Sequence, residues 1–351
     1  IEGQSVMISG AGGSIGSELA QQIAAYNPRR LVCFDHSELA IYEVEQSLQG
    51  RMEGELHCLL ADIRDRNEIE RLFKTYKPDL VFHAAALKHV PIVEQQPAQG
   101  ILTNMLGTRN MADLAAIFGV QAFVQISTDK AVNPANIMGA TKRLGEYYAQ
   151  ALDLSAEAGQ TRFMTVRFGN VLGSSGSVVP LFRKQLEAGG PLTVTHPDIK
   201  RYFMTVREAV GLVLQASAKG QDKTAERGLI YVLDMGEPIK IMDIARQMIR
   251  LSEMQPDVDI KIEVTGLRPG EKLYEELFDD RESPIETGIP STLAARPSPM
   301  ELPILRKTLD SLQDKAEKGD EEAILTIITR TVPGYEENAV HKKANKTSKN
   351  A

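Results

Sequence analysis

The 351-residue sequence has no tryptophan, only 5% aromatic side chains and just two cysteines. Two cysteines make no disulfide framework, and no zinc-ligand spacing is present. Cys33 and Cys58 each lie inside an apolar run and are expected as buried, reduced thiols of a cytoplasmic chain. Uninterrupted apolar runs of 18 or more residues are also missing, which excludes a membrane-spanning helix, and Ile1-Glu2-Gly3-Gln4 is not a signal peptide. Positive charge is in deficit. With 40 Lys and Arg against 47 Asp and Glu, the net charge is −7, which excludes a nucleic-acid binder that works by neutralising phosphates. The six histidines include no i,i+4 pair flanking a Glu, and no metal site is expected.

What is present is globular: 42% hydrophobic and 25% charged residues. The length exceeds the roughly 250–300 residues of a single core, so a large domain with a smaller companion is expected. The chain opens on Ile1 rather than Met and reaches its first strand at once, and we expect it to be a segment of a longer protein. Apolar runs at Ser5–Ser9, Leu31–Phe34, Leu59–Ala61, Leu80–His83 and Ala122–Ile126 alternate with amphipathic helix-length stretches. Ile15, Leu19 and Ile23 keep the helical period after the first run, and Ser37 is placed to cap a helix carrying Leu39, Val44 and Leu48. This βαβα order predicts an α/β, Rossmann-like, doubly wound parallel sheet with a smaller C-terminal lobe. Residues 1–170 form the expected main domain, with about 205–245 returning to it. The lobe comprises about 171–204 and 246–334, and 335–351 is read as a disordered tail.

Gly10-Ala11-Gly12-Gly13-Ser14-Ile15-Gly16 separates the first strand from the first helix. There, backbone N–H groups and the helix N-terminus can hold a pyrophosphate, so Gly10, Gly13, Ser14, Ile15 and Gly16 are expected to bind a dinucleotide. Asp35 ends the second strand, where a carboxylate accepts from the ribose hydroxyls and repels a 2′-phosphate, favouring NAD over NADP. The competing role for Asp35 is a helix N-cap, and Arg29 and Arg30 nearby keep NADP open. A third constellation, Ser127-Thr128-Asp129-Lys130, ends a strand on the ligand-binding edge and is followed by Met138 to Lys142, with Lys142 one helical turn beyond Met138.

These last residues resemble the active site of the extended short-chain dehydrogenases. In that family a Ser or Thr, a Tyr and a Lys four residues later bind the nicotinamide ribose and deprotonate a sugar hydroxyl. Here the Tyr position holds Met138, whose thioether takes no proton. The whole stretch Ser127 to Arg143 resembles the nucleotide-sugar 4,6-dehydratases acting on UDP-N-acetylglucosamine, in particular their large, membrane-anchored bacterial branch, where Met replaces Tyr. So do Ala61–Asp65, His83–Pro91, Arg167–Ser177 and Gly266–Lys272, and the resemblance covers about residues 3–335.

The resemblance implies a UDP-N-acetylglucosamine 4,6-dehydratase that retains configuration at C5. NAD oxidises C4, water is eliminated across C5 and C6, and the hydride returns to C6. It implies that Thr128, Met138 and Lys142 occupy the oxidation site, with Asp129 the acid for the C6 hydroxyl and Lys130 the C5 base, each with a pKa moved toward neutrality. Asp62 and Ile63 would flank the adenine, and Ala84, Ala85 and Ala86 would let the chain pass close to the cofactor. Lys88 and His89 would face the sugar, and Asn170, Arg201, Arg268 and Glu271 would meet the nucleotide half. Tyr147 and Tyr148 read as packing residues. A homodimer or higher homo-oligomer is expected, and the parent chain is expected to carry membrane helices upstream, with this portion on the cytoplasmic side. A UDP-sugar 4-epimerase and a non-catalytic NAD-binding sensor are the competing readings.

Overall fold

The computed structural model describes residues 1–222 and 224–335. The expected tail from 336 onward lies outside the described residues, while Tyr335 is buried in the core. Six strands come first: β1 (Ser5–Ser9), β2 (Arg30–Asp35), β3 (Glu55–Leu60), β4 (Leu80–His83), β5 (Ala122–Ile126) and β6 (Arg162–Arg167). They are followed by β7 (Asn170–Leu172), β8 (Leu192–Val194), β9 (Lys200–Arg201), β10 (Phe203–Thr205) and β11 (Ile230–Leu233). The last are β12 (Ile239–Lys240), β13 (Ile262–Val264), β14 (Pro284–Ile289) and β15 (Thr292–Ala295).

A nine-stranded sheet runs β14-β15-β11-β6-β5-β4-β1-β2-β3. β3 through β11 in that order are parallel, and β15 and β14 close the far edge antiparallel. The order reverses between β1 and β4, which opens a crevice at the carboxyl ends of these strands. β1 is buried at all five residues, as a strand covered on both faces must be. Met7 faces a cluster shared with helices Arg66–Tyr76, Thr108–Ile117 and Ile137–Ser155. Val6 and Ile8 face the opposite cluster, shared with helices Ser14–Ala24, Glu38–Leu48 and Val206–Gly220. The sheet is therefore doubly wound, as expected from the sequence.

Ser37 caps the second helix, its hydroxyl accepting from the Ala40 N–H. That helix turns Ile41, Val44 and Leu48 inward, whereas Leu39 is exposed. A small separate cluster gathers Phe182, Leu192, Val194, Ile199, Ile241, Ala245 and Ile249. The expected boundaries of the smaller lobe change at its C-terminal end. β14 and β15 extend the large sheet, and helices Leu302–Glu317 and Glu321–Thr331 bury Leu305, Leu309, Ile324 and Ile328 in the cluster containing Met7 and Val32. Apolar surface that the first 245 residues leave open on the large domain draws them back, which local periodicity does not reveal. No helix among the described residues is long and apolar enough to cross a membrane.

Candidate active site

The chemistry-bearing residues of the sequence converge on the carboxyl edge of the sheet. The glycine loop follows β1, Asp35 ends β2, Asp62 and Ile63 follow β3, and Ala84–Ala86 follow β4. Thr128–Lys130 follow β5, and Asn170 follows β6.

The loop after β1 needs its glycines for different reasons. Gly10 has φ +69, and a Cβ there would lie 2.4 Å from the Ala85 nitrogen, so loops after β1 and β4 touch through backbone alone. A Cβ on Gly16 would come within 2.0 Å of the Gly10 carbonyl oxygen. On Gly13 it would meet only that oxygen, at 3.4 Å, leaving the outer side open. Gly13 is the N-cap of helix Ser14–Ala24 and no side chain caps it, so the helix N-terminus offers backbone N–H groups and the positive end of its dipole. Ile15 packs inward, and the Ser14 hydroxyl accepts from the Ser175 N–H at 3.2 Å, drawing the Gly173–Ser177 loop over the site.

Asp35 is not the helix cap; Ser37 is. Its Oδ2 accepts from the Gly12 N–H at 3.1 Å and its Oδ1 from the Ser37 N–H at 3.0 Å, which aims the carboxylate at the loop after β1. Asp62 is gripped by Arg64, with contacts of 2.8 Å from Nε and 2.6 Å from the guanidinium end. Burial pushes the Asp62 carboxyl up, but the Arg64 bonds outweigh it and hold the group below its ordinary value. Ile63 turns its side chain into the core against Gly107. Asn104, in a π-helical turn over Ile101–Gly107, fixes the segment after β4: its Oδ1 accepts from the Leu87 N–H at 2.7 Å and its Nδ2 donates to the Leu87 carbonyl at 2.9 Å.

Thr128 caps a short 3₁₀ turn over Asp129–Ala131. Its hydroxyl donates to Asp129 Oδ1 at 2.9 Å, and Lys130 Nζ reaches the same oxygen at 3.0 Å and Asn170 Oδ1 at 3.2 Å. Asp129 is fully buried, and its Oδ2 has no hydrogen-bond partner. The expectation for Lys130 is corrected here. Burial presses its ammonium toward discharge, but the Asp129 and Glu275 carboxylates outweigh burial and Arg201, so the group lies above the ordinary lysine value instead of nearer neutrality.

Helix Ile137–Ser155 carries Met138 and Lys142 on one face. Asn136 caps it, accepting from the Gly139 N–H at 2.8 Å, and its Nδ2 donates to the Gly270 carbonyl at 3.0 Å, which docks the Gly266–Lys272 loop at the helix start. Met138 is 3% exposed and sits in the core. Lys142 is buried and donates to the Ile126 carbonyl at 2.5 Å. Burial pulls it down to about 8, against the Glu146 charge that supports the ammonium.

Below Lys142 lies a closed ionic ring that the sequence reading missed. Glu146 meets Arg143 at 2.8 Å and Arg167 at 2.9 Å, and Glu282 meets the same two guanidinium groups at 2.9 and 2.8 Å. The Ser127 hydroxyl also donates to Glu146, at 2.6 Å. Glu146 does stand one turn beyond Lys142, a signal legible in sequence; Glu282 does not. Tyr147 and Tyr148 are buried, and the Tyr148 phenol, bonded to Asp113, is pushed up to about 12 mainly by burial. His83, bridging Ser9 and Thr108, is driven down to about 3 by burial and is neutral.

The residues expected to meet the substrate divide. Lys88 and His89 are exposed, and both are shifted down by partial burial. The His89 ring lies against Gly176, where a Cβ would approach it to 2.5 Å. Arg268 is exposed, and its N–H donates to Glu271 at 3.1 Å. Arg201, by contrast, is 7% exposed, donates to the Lys200 and Leu273 carbonyls, and lies 3.5 Å from Glu271 and 3.7 Å from Glu275. Its charge is answered within the protein, which makes Arg268 the freer cation of the two. Tyr202, also missed, packs against Gly169, where a Cβ would lie 3.0 Å from Tyr202 Cβ and 3.2 Å from Asp129 Oδ2.

Residues 6–297 match the family described as polysaccharide biosynthesis protein. The chain is 44% identical over 319 residues to the probable polysaccharide biosynthesis protein EpsC of Bacillus subtilis, covering 90% of this chain and 52% of that protein, so it spans about half of EpsC's length. It is 30% identical over 298 residues to a Campylobacter jejuni protein named UDP-N-acetylglucosamine 4,6-dehydratase (inverting), covering 84% of each. A Rickettsia massiliae protein named UDP-glucose 4-epimerase is 34% identical over 286 residues, covering 80% of this chain and 79% of that one. Among solved structures, Pen from Bacillus thuringiensis superposes with a TM-score of 0.76 at 32% identity, over 85% of this chain and 89% of that one.

Proposed function

The chain belongs to the polysaccharide biosynthesis protein family, and from that premise we propose that it is a UDP-N-acetylglucosamine 4,6-dehydratase that retains configuration at C5. One observation carries this reading over epimerisation: a hydroxyl, a buried carboxylate and an amine, Thr128, Asp129 and Lys130, bonded in series at the end of β5. A 4-epimerase only oxidises and re-reduces C4. It has no use for an acid at the C6 hydroxyl or a base at C5.

NAD fits the loop after β1 on three counts: the side-chain-free passage at Gly10 and Gly16, the uncapped helix N-terminus at Ser14, and the Asp35 carboxylate. Bound there, it would supply the hydride chemistry of the reaction, oxidation at C4 of the sugar and reduction at C6. Lys142, buried and anchored on the Ile126 carbonyl, would hold the nicotinamide ribose from the helix side.

With Met138 unable to take a proton, the Thr128 hydroxyl supplies the route. A C4 hydroxyl bonded to Thr128 passes its proton to the threonine oxygen as the threonine proton moves to Asp129 Oδ1. The relay loads Asp129 as the acid for the C6 hydroxyl, so the proton lost at C4 leaves in the water formed at C6. Protonating Asp129 also removes one of the charges that hold the Lys130 ammonium, so the same step favours the neutral amine needed at C5. The Lys130 side chain is 17% exposed, which gives its surplus proton a path to solvent. One base that removes and returns the C5 proton on a single face retains configuration, giving UDP-2-acetamido-2,6-dideoxy-xylo-hexos-4-ulose. In this the reading departs from the inverting Campylobacter relative. It also carries a cytoplasmic site of action, in keeping with the two free thiols.

Incubation with UDP-N-acetylglucosamine, followed by proton NMR, tests the reading. A new C6 methyl doublet supports it. Formation of a C4 epimer without a methyl signal would favour the epimerase, and an unchanged substrate the sensor.

A further inference from the structure

Glu275 belongs to no motif above, yet it touches two cations, Lys130 and Arg201. Its Oε1 lies 3.5 Å from Lys130 Nζ and 3.7 Å from Arg201 Nε, and its side chain is 4% exposed. Arg201 is itself pinned by the Lys200 and Leu273 carbonyls and by Glu271. The carboxylate is thus fixed between one immobile cation and one that must change charge. A buried carboxylate needs such partners, since without them it would take up a proton.

We propose that Glu275, braced by Arg201, is the positioning residue for Lys130, holding the amine beside Asp129 and Asn170 and governing when it carries a proton. This deepens the dehydratase reading and rests on it for the role of Lys130. The charges facing Lys130 come from three elements: Asp129 on its own turn, Glu275 from the segment after Gly270, and Arg201 from β9. Asp129 and Glu275 support the ammonium, while burial and Arg201 oppose it. When the relay protonates Asp129, Glu275 is left as the counter-ion, and its attraction is shared with Arg201. Glu275 therefore keeps Lys130 in place while letting it discharge, and it recaptures the ammonium once the C5 proton has arrived.

The opposite signs of the two neighbours make the test. Lys130 protonation is read directly by competitive acylation with acetic anhydride across pH, with the labelled peptide quantified by mass spectrometry on the whole chain. Glu275→Gln keeps shape and an acceptor but removes the charge, and the Lys130 midpoint should fall by about one to three pH units. Arg201→Gln removes an opposing cation, and the midpoint should rise. The ascending limb of kcat/KM against pH should move the same way in each variant. Midpoints unmoved in both variants, or moved in the same direction, would overturn the assignment. If Glu275→Gln does not fold, the upward shift in Arg201→Gln decides alone. Because acylation needs no turnover, shifted midpoints in the variants with no methyl product from the parent chain would sink the dehydratase reading and leave the Glu275–Lys130 coupling standing.

Discussion

Replacing Glu146 by Gln keeps the volume of the side chain and removes one charge from the buried ring beneath Lys142. Two guanidinium groups, Arg143 and Arg167, then face the single carboxylate of Glu282, in a ring whose parent side chains are at most 6% exposed. Burial pushes the Glu146 carboxyl up, but Arg167 and Arg143 outweigh it and hold the group at about 2 against an ordinary 4.5. That gap corresponds to roughly 3 kcal/mol of native-state preference for the charged form. Removing one partner of a buried pair costs about 3–5 kcal/mol, so the two routes agree. Against a typical total of about 5–15 kcal/mol, the loss is large. Since the folded value is depressed, this contribution is present in full above about pH 4.5 and fades as pH falls toward 2. Urea unfolding at pH 7 should therefore show a much lower midpoint for the variant, and the gap between parent and variant should narrow in acid. Lys142 also loses the charge supporting its ammonium, so its midpoint should drop below about 8. A variant within 1 kcal/mol of the parent at pH 7, with the same acid dependence, would refute the reasoning.

Gly16→Ala sets a Cβ 2.0 Å from the Gly10 oxygen and 2.8 Å from Ala11 Cα, backbone atoms that cannot yield, and should abolish NAD retention. Gly13→Ala, meeting only the Gly10 oxygen at 3.4 Å, should keep more of it; nucleotide released on denaturation and identified by mass spectrometry measures both, and NADP alone in the parent would refute the role given to Asp35. Lys130→Ala and Asp129→Asn should each lower dehydration by about 10²–10⁴-fold while leaving NAD bound, and near-normal turnover in both would reject their assignment. Met138→Tyr should not raise turnover and should destabilise by about 1–3 kcal/mol on thermal or urea unfolding, because Met138 is 3% exposed within the core. A several-fold gain in methyl product would mean that the site is a damaged tyrosine site.

The fold was legible because a parallel sheet covered on both faces writes itself as short, wholly apolar runs. β4 and β5 lie where the runs at Leu80–His83 and Ala122–Ile126 place them. β3 was read short, at Leu59–Ala61, because it is an edge strand: none of its six residues is buried, and Glu55 and Leu60 are exposed, so the apolar signal thins out along it. The return of β14, β15 and the last two helices to the large domain was not legible, because nothing in an amphipathic helix such as Leu302–Glu317 says which distant surface its apolar stripe will cover.

The candidate site divides along a similar line. Glycines with a steric reason, a strand-end Asp and a Thr-Asp-Lys triplet keep their chemistry within a few residues of sequence, and each stands at the carboxyl edge. The charges that decide how those groups ionise come from far away. Glu275 reaches Lys130 across 145 positions of chain, and Glu282 closes a ring with Arg167 across 115. Both carboxylates lie in a stretch rich in Glu and Asp that looks, as sequence, like a solvated surface. Only the fold takes them out of water, and a carboxylate taken out of water must find a cation. The expectation that Lys130 is shifted toward neutrality failed for this reason. The Asp129 and Glu275 carboxylates that the fold sets against its ammonium together outweigh the burial and the Arg201 charge that oppose it, and so reverse the direction of the shift.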